Sequence, residues 1–216
     1  MDSTDGRITR IAVQERDPNR LNVDLDGAFA FGVSREIAAD ERLEVGLDLP
    51  AGRVAAIVAR DQVGKATDRA ISLLARRPRS TREIRDRLRQ KGFEAPAIDA
   101  AVEKLEGWNY VDDAEFARYW VENRETHKPR GRRLLEQELR TKGVDREVIR
   151  DAIDDAELDE RTSALEVGRA KLRSYAGLEP VVARRRLGSY LARRGYDYGT
   201  VRATVDRLIG DQDDET

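Results

Sequence analysis

The sequence predicts a mainly α-helical protein whose tandem three-helix repeats form an elongated, curved solenoid behind a small β-rich N-terminal subdomain. A leucine followed four residues later by glycine and an apolar residue occurs three times, at intervals of 51 and 52 residues. Such a period is typical of helical-repeat proteins. A basic residue precedes each glycine, and pairs of apolar residues four positions apart recur on both sides of it. In the first 60 or so residues, apolar side chains alternate with other side chains instead. The three glycines are Gly92, Gly143 and Gly195.

The N-terminal segment has the pattern of a small antiparallel sheet. Between residues 11 and 33, three short stretches alternate apolar with other side chains, which indicates half-buried strands. We expect residues 17–20 to separate the first two strands. Asp26-Gly27 suits the positive φ angles of a tight hairpin between the second and third. Ser34 then has the character of an N-cap for a short helix, and a second apolar helix is expected after Pro50.

Each later repeat is predicted to contain three helices, A, B and C, with helix B ending at the shared glycine. The leucine-to-glycine spacing fits a Schellman motif, in which glycine adopts the left-handed conformation and the next residue folds back onto the leucine. Leu88, Leu139 and Leu191 should therefore be buried. Ser80 and Glu83 fit a capping box at the start of the first helix B.

Helix C has a recognisable start in all three repeats, whereas the pattern of helix A is less regular. Glu94, Asp145 and Asp197 follow the three glycines at equivalent places and can cap helix C, although glutamate is the poorest cap of the three. Helix A is less regular, and we place it at about residues 66–77, 113–126 and 160–175. Asp112, Asp113 and Glu115 need no catalytic role, because carboxylates are common at a helix start.

These patterns divide the chain into five segments. They are the N-terminal β-rich subdomain at residues 1–62, the three repeats at 63–111, 112–158 and 159–210, and an acidic tail at 211–216.

Composition argues against an enzyme. The chain has 216 residues, no cysteine and a single histidine, so it can form neither a disulfide framework nor a thiolate zinc site. His127 has no nearby carboxylate cluster, and no phosphate-binding loop or hydrolase motif is present. We therefore predict no catalytic residue, no cofactor and no metal. The sequence also contains neither a signal segment nor a membrane span, which indicates a soluble cytoplasmic protein.

A net charge of only −2 conceals a strong internal polarity. Residues 76–91 contain eight basic and two acidic side chains, 128–142 contain six and two, and 184–194 contain five and none. The residues after the first two B helices are strongly acidic, whereas the third helix C is more balanced. Solvated, salt-bridged faces would give single runs of this kind, but repetition at one place in three repeats favours a binding band. The predicted band comprises Arg76, Arg77, Arg79, Arg82, Lys128, Arg130, Arg132, Arg133, Arg184, Arg185 and Arg186.

An ordered set of short motifs adds a family resemblance. It includes Leu-Arg-Gln-Lys-Gly-Phe at 88–93, Tyr-Val-Asp-Asp-Ala-Glu-Phe-Ala at 110–117, Lys-Pro-Arg-Gly at 128–131 and Leu-Arg-Thr-Lys-Gly-Val at 139–144. Together these motifs resemble the RecX family, bacterial regulatory proteins that modulate the RecA recombinase. The resemblance covers about residues 7–210 and is weakest in the third repeat.

The resemblance implies a non-enzymatic regulator of DNA repair, homologous recombination and the SOS response. Such a protein would bind along the groove of the RecA nucleoprotein filament and inhibit RecA's ATPase, strand-exchange and co-protease activities. We expect a monomer with no membrane association, and a weak contact with single- or double-stranded DNA is left open. Two other functions also remain open: a direct DNA-binding module, which the acidic C helices disfavour, and a generic helical-repeat adaptor.

Overall fold

The computed structural model describes residues 5–210. Its N-terminal part contains a four-stranded antiparallel sheet. The strand order is β3-β2-β1-β4, with a core that includes Ile8, Val23 and Val33. Asp26 and Gly27 have φ angles of 49° and 84°, so the predicted hairpin between the second and third strands is confirmed. The strands are β1 (Gly6–Gln14), β2 (Asp17–Leu25), β3 (Ala28–Ser34) and β4 (Asp48–Leu49).

The sheet differs from the prediction in two places. Residues 17–20 begin β2 instead of forming the turn, which lies at residues 15–16. The prediction was wrong there because Asp, Pro and Asn are typical turn residues. In the structure they form the first part of β2, directly after the tight turn that joins it to β1. The fourth strand was also missed. With two residues paired to Gly6 and Arg7, it is too short to show an alternating pattern.

The helix that follows the sheet is longer than expected. Ser34 caps α1 (Arg35–Asp40) as predicted, accepting from the Ile37 amide. α2 (Ala51–Leu74) is then a single helix of 24 residues, where the sequence suggested one helix near residue 54 and another from 66 to 77. The only glycine in its central turns, Gly64, lowers helix propensity without stopping the helix.

The rest of the described chain consists of repeated helices. The B helices are α3 (Thr81–Gln90), α6 (Arg132–Thr141) and α9 (Pro180–Arg193), and the C helices are α4 (Ala95–Gly107), α7 (Arg146–Asp155) and α10 (Tyr198–Ile209). The A helices are α2, α5 (Asp113–His127) and α8 (Glu160–Leu172), the last extended by a 3₁₀ turn, Arg173–Tyr175. The mainly helical fold with three-helix repeats is confirmed; the acidic tail lies outside the described residues.

Contacts divide the chain into two compact units. One contains the chain up to Arg77 together with residues 84–110, and the other contains residues 78–83 and the chain from Val111 onward. The second and third repeats have local cores, built around Leu135 and Leu139 in one and around Leu187 and Leu191 in the other. The predicted boundary at residues 62/63 falls inside α2, so the five-segment division stays a prediction.

All three B helices end in a Schellman motif, as predicted. The φ angles of Gly92, Gly143 and Gly195 are 85°, 82° and 91°. In each motif the amide of the residue after the glycine donates to the leucine carbonyl, at 3.3, 3.2 and 3.4 Å. The glycine amide donates to the carbonyl of the residue that follows the leucine. The three leucines are fully buried.

The predicted helix starts are also confirmed. The Ser80 hydroxyl accepts from the Glu83 amide at 3.2 Å, and the Glu83 carboxylate accepts from the Ser80 amide at 3.4 Å, which completes the capping box. Asp145 and Asp197 cap their C helices, whereas Glu94 makes no side-chain capping bond. Asp112 caps α5.

Within the second unit, two successive repeat junctions use the same contacts. The start of α3 meets the end of α6 where the Ser80 hydroxyl donates to the Lys142 carbonyl at 2.7 Å. The start of α6 meets the end of α9 where the Gly131 amide donates to the Arg194 carbonyl at 2.9 Å. Ser80 and Gly131 each stand 12 residues before the glycine of their own repeat. The start of α3 therefore docks on the end of α6, and the start of α6 docks on the end of α9.

Candidate interaction surface

The exposed faces of the B helices are the strongest candidate for a binding surface. Each B helix buries the apolar residues eight and four positions before its glycine, for example Leu135 and Leu139 in α6. Ten positions before the glycine, all three helices expose an arginine. These equivalent residues are Arg82, Arg133 and Arg185.

Each B helix also exposes a second arginine seven residues after a first one. Seven residues make about two helical turns, so both side chains lie on one face about 10.5 Å apart along the axis. The pairs are Arg82 with Arg89, Arg133 with Arg140, and Arg186 with Arg193, and all six side chains are exposed. The third pair lies one position later, relative to its glycine, than the other two. We call these six residues, one pair on each of the three B helices, the arginine face. Arg89, Arg140 and Arg193 lie within the three basic segments but were not included in the predicted band. The seven-residue spacing was the signal that could have identified them.

Three other predicted cations make ion pairs within the fold. The Arg130 Nε lies 3.6 Å from the Glu138 carboxylate, and the Arg132 guanidinium donates to Asp154 at 2.6 Å. Arg184 pairs with Asp206 of α10. These contacts join helix B, or the loop before it, to neighbouring elements, so these three arginines have a structural role in the repeats. Their contact with a partner stays a prediction.

The remaining predicted cations lie in loops. Because α2 ends at Leu74, Arg76, Arg77 and Arg79 belong to the connection before α3. Arg76 is exposed, and Arg77 and Arg79 are half-buried. Lys128 is exposed in the connection after α5. The structure therefore places the predicted band partly on the B helices and partly on the loops that precede them.

Acidic side chains occupy the C helices of the first two repeats. α4 exposes Asp99, Glu103 and Glu106, and α7 exposes Asp151 among several others. In α10, Asp206 is instead engaged by Arg184, and Asp197 caps the helix. The hydroxyl and amide of Thr200 lower the pKa of Asp197, with a smaller contribution from Arg133. In the first two repeats, opposite charges thus lie on separate helices.

Among residues 5–210, no three His, Cys, Asp or Glu side chains converge as ligands for a metal ion. Over the same residues, no helix is both long and apolar enough to cross a bilayer.

Comparison with known proteins gives a consistent result along the chain. Residues 6–49 match the model of the regulatory protein RecX N-terminal domain, and the models of the first, second and third RecX three-helix domains match residues 66–105, 112–153 and 159–205.

Individual relatives agree with these matches. Regulatory protein RecX of Bacillus subtilis strain 168 is 29% identical over 210 residues, covering 97% of this chain and 80% of that protein. The Listeria monocytogenes protein of the same name, from serotype 4b strain CLIP80459, is 36% identical over 160 residues, covering 72% and 60%.

Two solved structures share the fold. A crystal structure of regulatory protein RecX has a TM-score of 0.71 at 25% identity, and the match covers 95% of this chain and 99% of that one. The crystal structure of RecX from Lactobacillus salivarius has a TM-score of 0.60 at 18% identity, covers 69% and 97%, and supports the fold alone.

Proposed function

The chain belongs to the RecX family of regulatory proteins, and on that premise we propose that it binds along the groove of the RecA–DNA filament and inhibits RecA. In this proposal it lowers RecA's ATP hydrolysis, strand exchange and co-protease activity, and it catalyses no reaction of its own. Recombination and the SOS response are thereby modulated. The observation that carries the proposal is the pair of exposed arginines, seven residues apart, that each B helix presents.

Repetition matters because single exposed charges bind weakly. One solvated ion pair contributes about 0.5 kcal/mol, so no single arginine could hold the protein on a partner. Six such pairs contribute about 3 kcal/mol, which corresponds to roughly a hundredfold in affinity. A helical filament presents the same surface many times, and contacts linked in one chain benefit from a high effective concentration. The arginine face suits a repeating acidic partner for this reason.

The separation of charge within the first two repeats favours one orientation. Exposed acidic residues on α4 and α7 would be repelled by DNA phosphates or by an acidic protein surface. A partner of negative potential is therefore expected to meet the B helices and not the C helices. This polarity supports binding with the arginine face toward the filament.

A charge-reversal experiment with matched net charge tests this proposal. The double variant Arg133→Glu/Arg140→Glu reverses the arginine face of the second repeat, while Arg118→Glu/Arg169→Glu reverses two exposed arginines on the A helices. We expect the first variant to need about tenfold more protein for half-inhibition of RecA's DNA-dependent ATPase. The second should stay within about twofold of the parent. Equal losses in both variants would mean that net charge, and not the arginine face, is responsible.

Direct DNA binding is the alternative that the arginine pairs also allow, because guanidinium groups bind phosphates. Titrating single- and double-stranded DNA against salt without RecA separates the two functions. Tight binding with a logarithmic slope equivalent to about six or more phosphate contacts would favour the DNA-binding module. A generic adaptor would be indicated if the protein failed to co-sediment with RecA filaments.

A further inference from the structure

The ends of the three B helices are equivalent, but only two of them are covered. The Lys142 carbonyl accepts from the Ser80 hydroxyl, and the Arg194 carbonyl accepts from the Gly131 amide. Their counterpart in the first repeat is Lys91. Within residues 5–210, no donor reaches the Lys91 carbonyl.

Close approach at the glycines shows the same difference. A Cβ atom built on Gly143 would lie 2.4 Å from the Arg82 side chain, and one built on Gly195 would lie 2.5 Å from the Leu134 backbone nitrogen. A Cβ atom built on Gly92 would meet no atom within 4 Å. The first Schellman motif is therefore open where the other two are occupied by the start of the preceding B helix.

The N-terminal sheet completes only half of the missing junction. In the second unit, the first amide of each docking B helix also donates to a carboxylate on the next helix A: Thr81 to Asp113 and Arg132 to Glu160, both at 2.8 Å. In the first repeat the sheet supplies this donor, because the Ser34 amide donates to Asp61 of α2 at 3.0 Å.

In the part of the chain that the structure describes, no equivalent donor covers the end of α3, where a groove of about 610 Å³ remains. Its lining includes Ser34, Arg69, Ser72, Lys91 and Phe93.

We propose that this groove at the end of α3 binds the first turn of a helix in the RecA subunit. We call the part of it formed by Arg69, Lys91 and Phe93 the open socket. The identity of that partner rests on the proposed function; the chemistry of the socket does not. The expected helix has Ser or Thr as N-cap, donating to the Lys91 carbonyl, and Glu three residues later, pairing with the Lys91 ammonium.

The occupied junction at α6 is the template for this chemistry. There Ser80 donates to the Lys142 carbonyl, while the Glu83 carboxylate lies 2.9 Å from the Lys142 Nζ. Lys91 is the counterpart of Lys142, and both Lys91 and Arg69 are exposed. The positive end of an incoming helix dipole would also face the negative end of α3.

Among the described B helices, a second copy of this chain offers no suitable start. The starts of α3 and α6 are already used in the junctions. α9 begins at Pro180, about one turn earlier than its counterparts, so the residue equivalent to Ser80 is Ala183, which is buried inside the helix. A helix of another protein can therefore dock at the socket, whereas a B helix from a second copy of this chain cannot.

Charge reversal at the socket tests the proposal on the whole protein. Lys91→Glu is compared with Lys104→Glu, which changes an equally exposed lysine on α4. We expect Lys91→Glu to weaken binding to RecA filaments on single-stranded DNA about tenfold, and Lys104→Glu to stay within about twofold. Similar affinities for the two variants would overturn the proposal.

A peptide experiment separates failure of the socket from failure of the proposed function. The probe is an acetylated peptide of this chain's own residues 78–90, with a Ser80→Ala/Glu83→Ala version as its control. We expect the first peptide, at about 1 mM, to shift the NMR amide signals of Lys91, Gly92 and Phe93, and the control to shift none. If the parent protein does not bind filaments but the peptide shifts these signals, the proposed function fails and the socket stands. Absence of the shifts overturns the socket.

Discussion

The Ser80 hydroxyl donates a 2.7 Å hydrogen bond to the carbonyl of Lys142, a residue 62 positions further along the chain. The same oxygen accepts from the Glu83 amide as the N-cap of α3. One fully buried side chain thus begins a B helix in one repeat and completes the end of a B helix in the next. Repeat stacking and helix capping are therefore coupled at a single residue.

Removing that hydroxyl should cost more than an ordinary helix cap. We expect Ser80→Ala to lower the free energy of unfolding by about 2 kcal/mol, because it removes an N-cap and deprives the Lys142 carbonyl of its donor. Ser189→Ala, on the exposed side of α9, should change it by less than about 0.5 kcal/mol. Urea denaturation measures both. An equally small effect of the two substitutions would show that the junction bond contributes nothing.

The three Schellman glycines should differ in their tolerance of alanine. The methyl group added by Gly92→Ala would contact no other atom. Only the left-handed backbone conformation opposes this substitution, which should lower the free energy of unfolding by about 1 kcal/mol. Gly195→Ala also drives a methyl group into the backbone of Leu134 and should cost about 3 kcal/mol. Gly143→Ala, which meets a side chain, should fall between them. Chemical denaturation of the three variants gives the order, and equal losses would contradict the junction geometry.

The leucine before each glycine is expected to contribute strongly to stability. Leu139 is fully buried beside Leu135 and Phe116, and Leu139→Ala should destabilise the protein by about 2–5 kcal/mol through lost burial and a cavity. Leu139→Met conserves most of the volume and should cost less than about 1.5 kcal/mol. Urea denaturation measures both changes. Similar costs would mean that cavity formation is not the cause.

Acid should weaken the docking of the sheet on α2. Asp61 is buried and accepts from Arg20 at 2.9 and 3.0 Å, while Lys65 lies 2.9 Å away. Burial alone would raise the pKa of Asp61, but the hydrogen bonds from Arg20 and Lys65 outweigh it and lower the pKa below its usual value. The stabilisation is therefore complete above about pH 5 and is lost as the pH falls below about 4, toward the lower pKa of the folded state.

The variant Asp61→Asn provides the comparison for this pH dependence. It should cost about 3 kcal/mol at neutral pH, because it leaves the half-buried Arg20 guanidinium without its carboxylate. The difference in unfolding free energy between parent and variant should shrink between about pH 5 and pH 3. A difference that stays constant over this range would show that the charge of Asp61 is not responsible.

Periodicity and cap residues were sufficient to predict the B and C helices. The buried leucines, the glycine stops and the caps at Asp145 and Asp197 all follow from contacts within a few residues, which the sequence displays directly. The sequence suggested two helices where the structure has the single helix α2. Whether the helix continues across residues 59–65 depends on tertiary packing, which local helix propensity does not predict.

Contacts between repeats could not be predicted in the same way. A hydrophobic pattern shows which face is buried, but it does not show which residue lies opposite. The bond from Ser80 to Lys142 joins residues with no local relation. For the same reason, Arg132 and Arg184 looked available in the sequence, whereas the structure pairs them with Asp154 and Asp206. Their acidic partners lie on helix C, 22 residues away in both cases.

The most direct test of the proposed function is an electron-microscopy map of this protein bound to a RecA–single-stranded DNA filament. The map should place the arginine face of α6 and α9, marked by Arg133, Arg140, Arg186 and Arg193, against the filament groove, with α7 turned away from it. A map in which α7 meets the filament and these arginines face solvent would contradict the proposal.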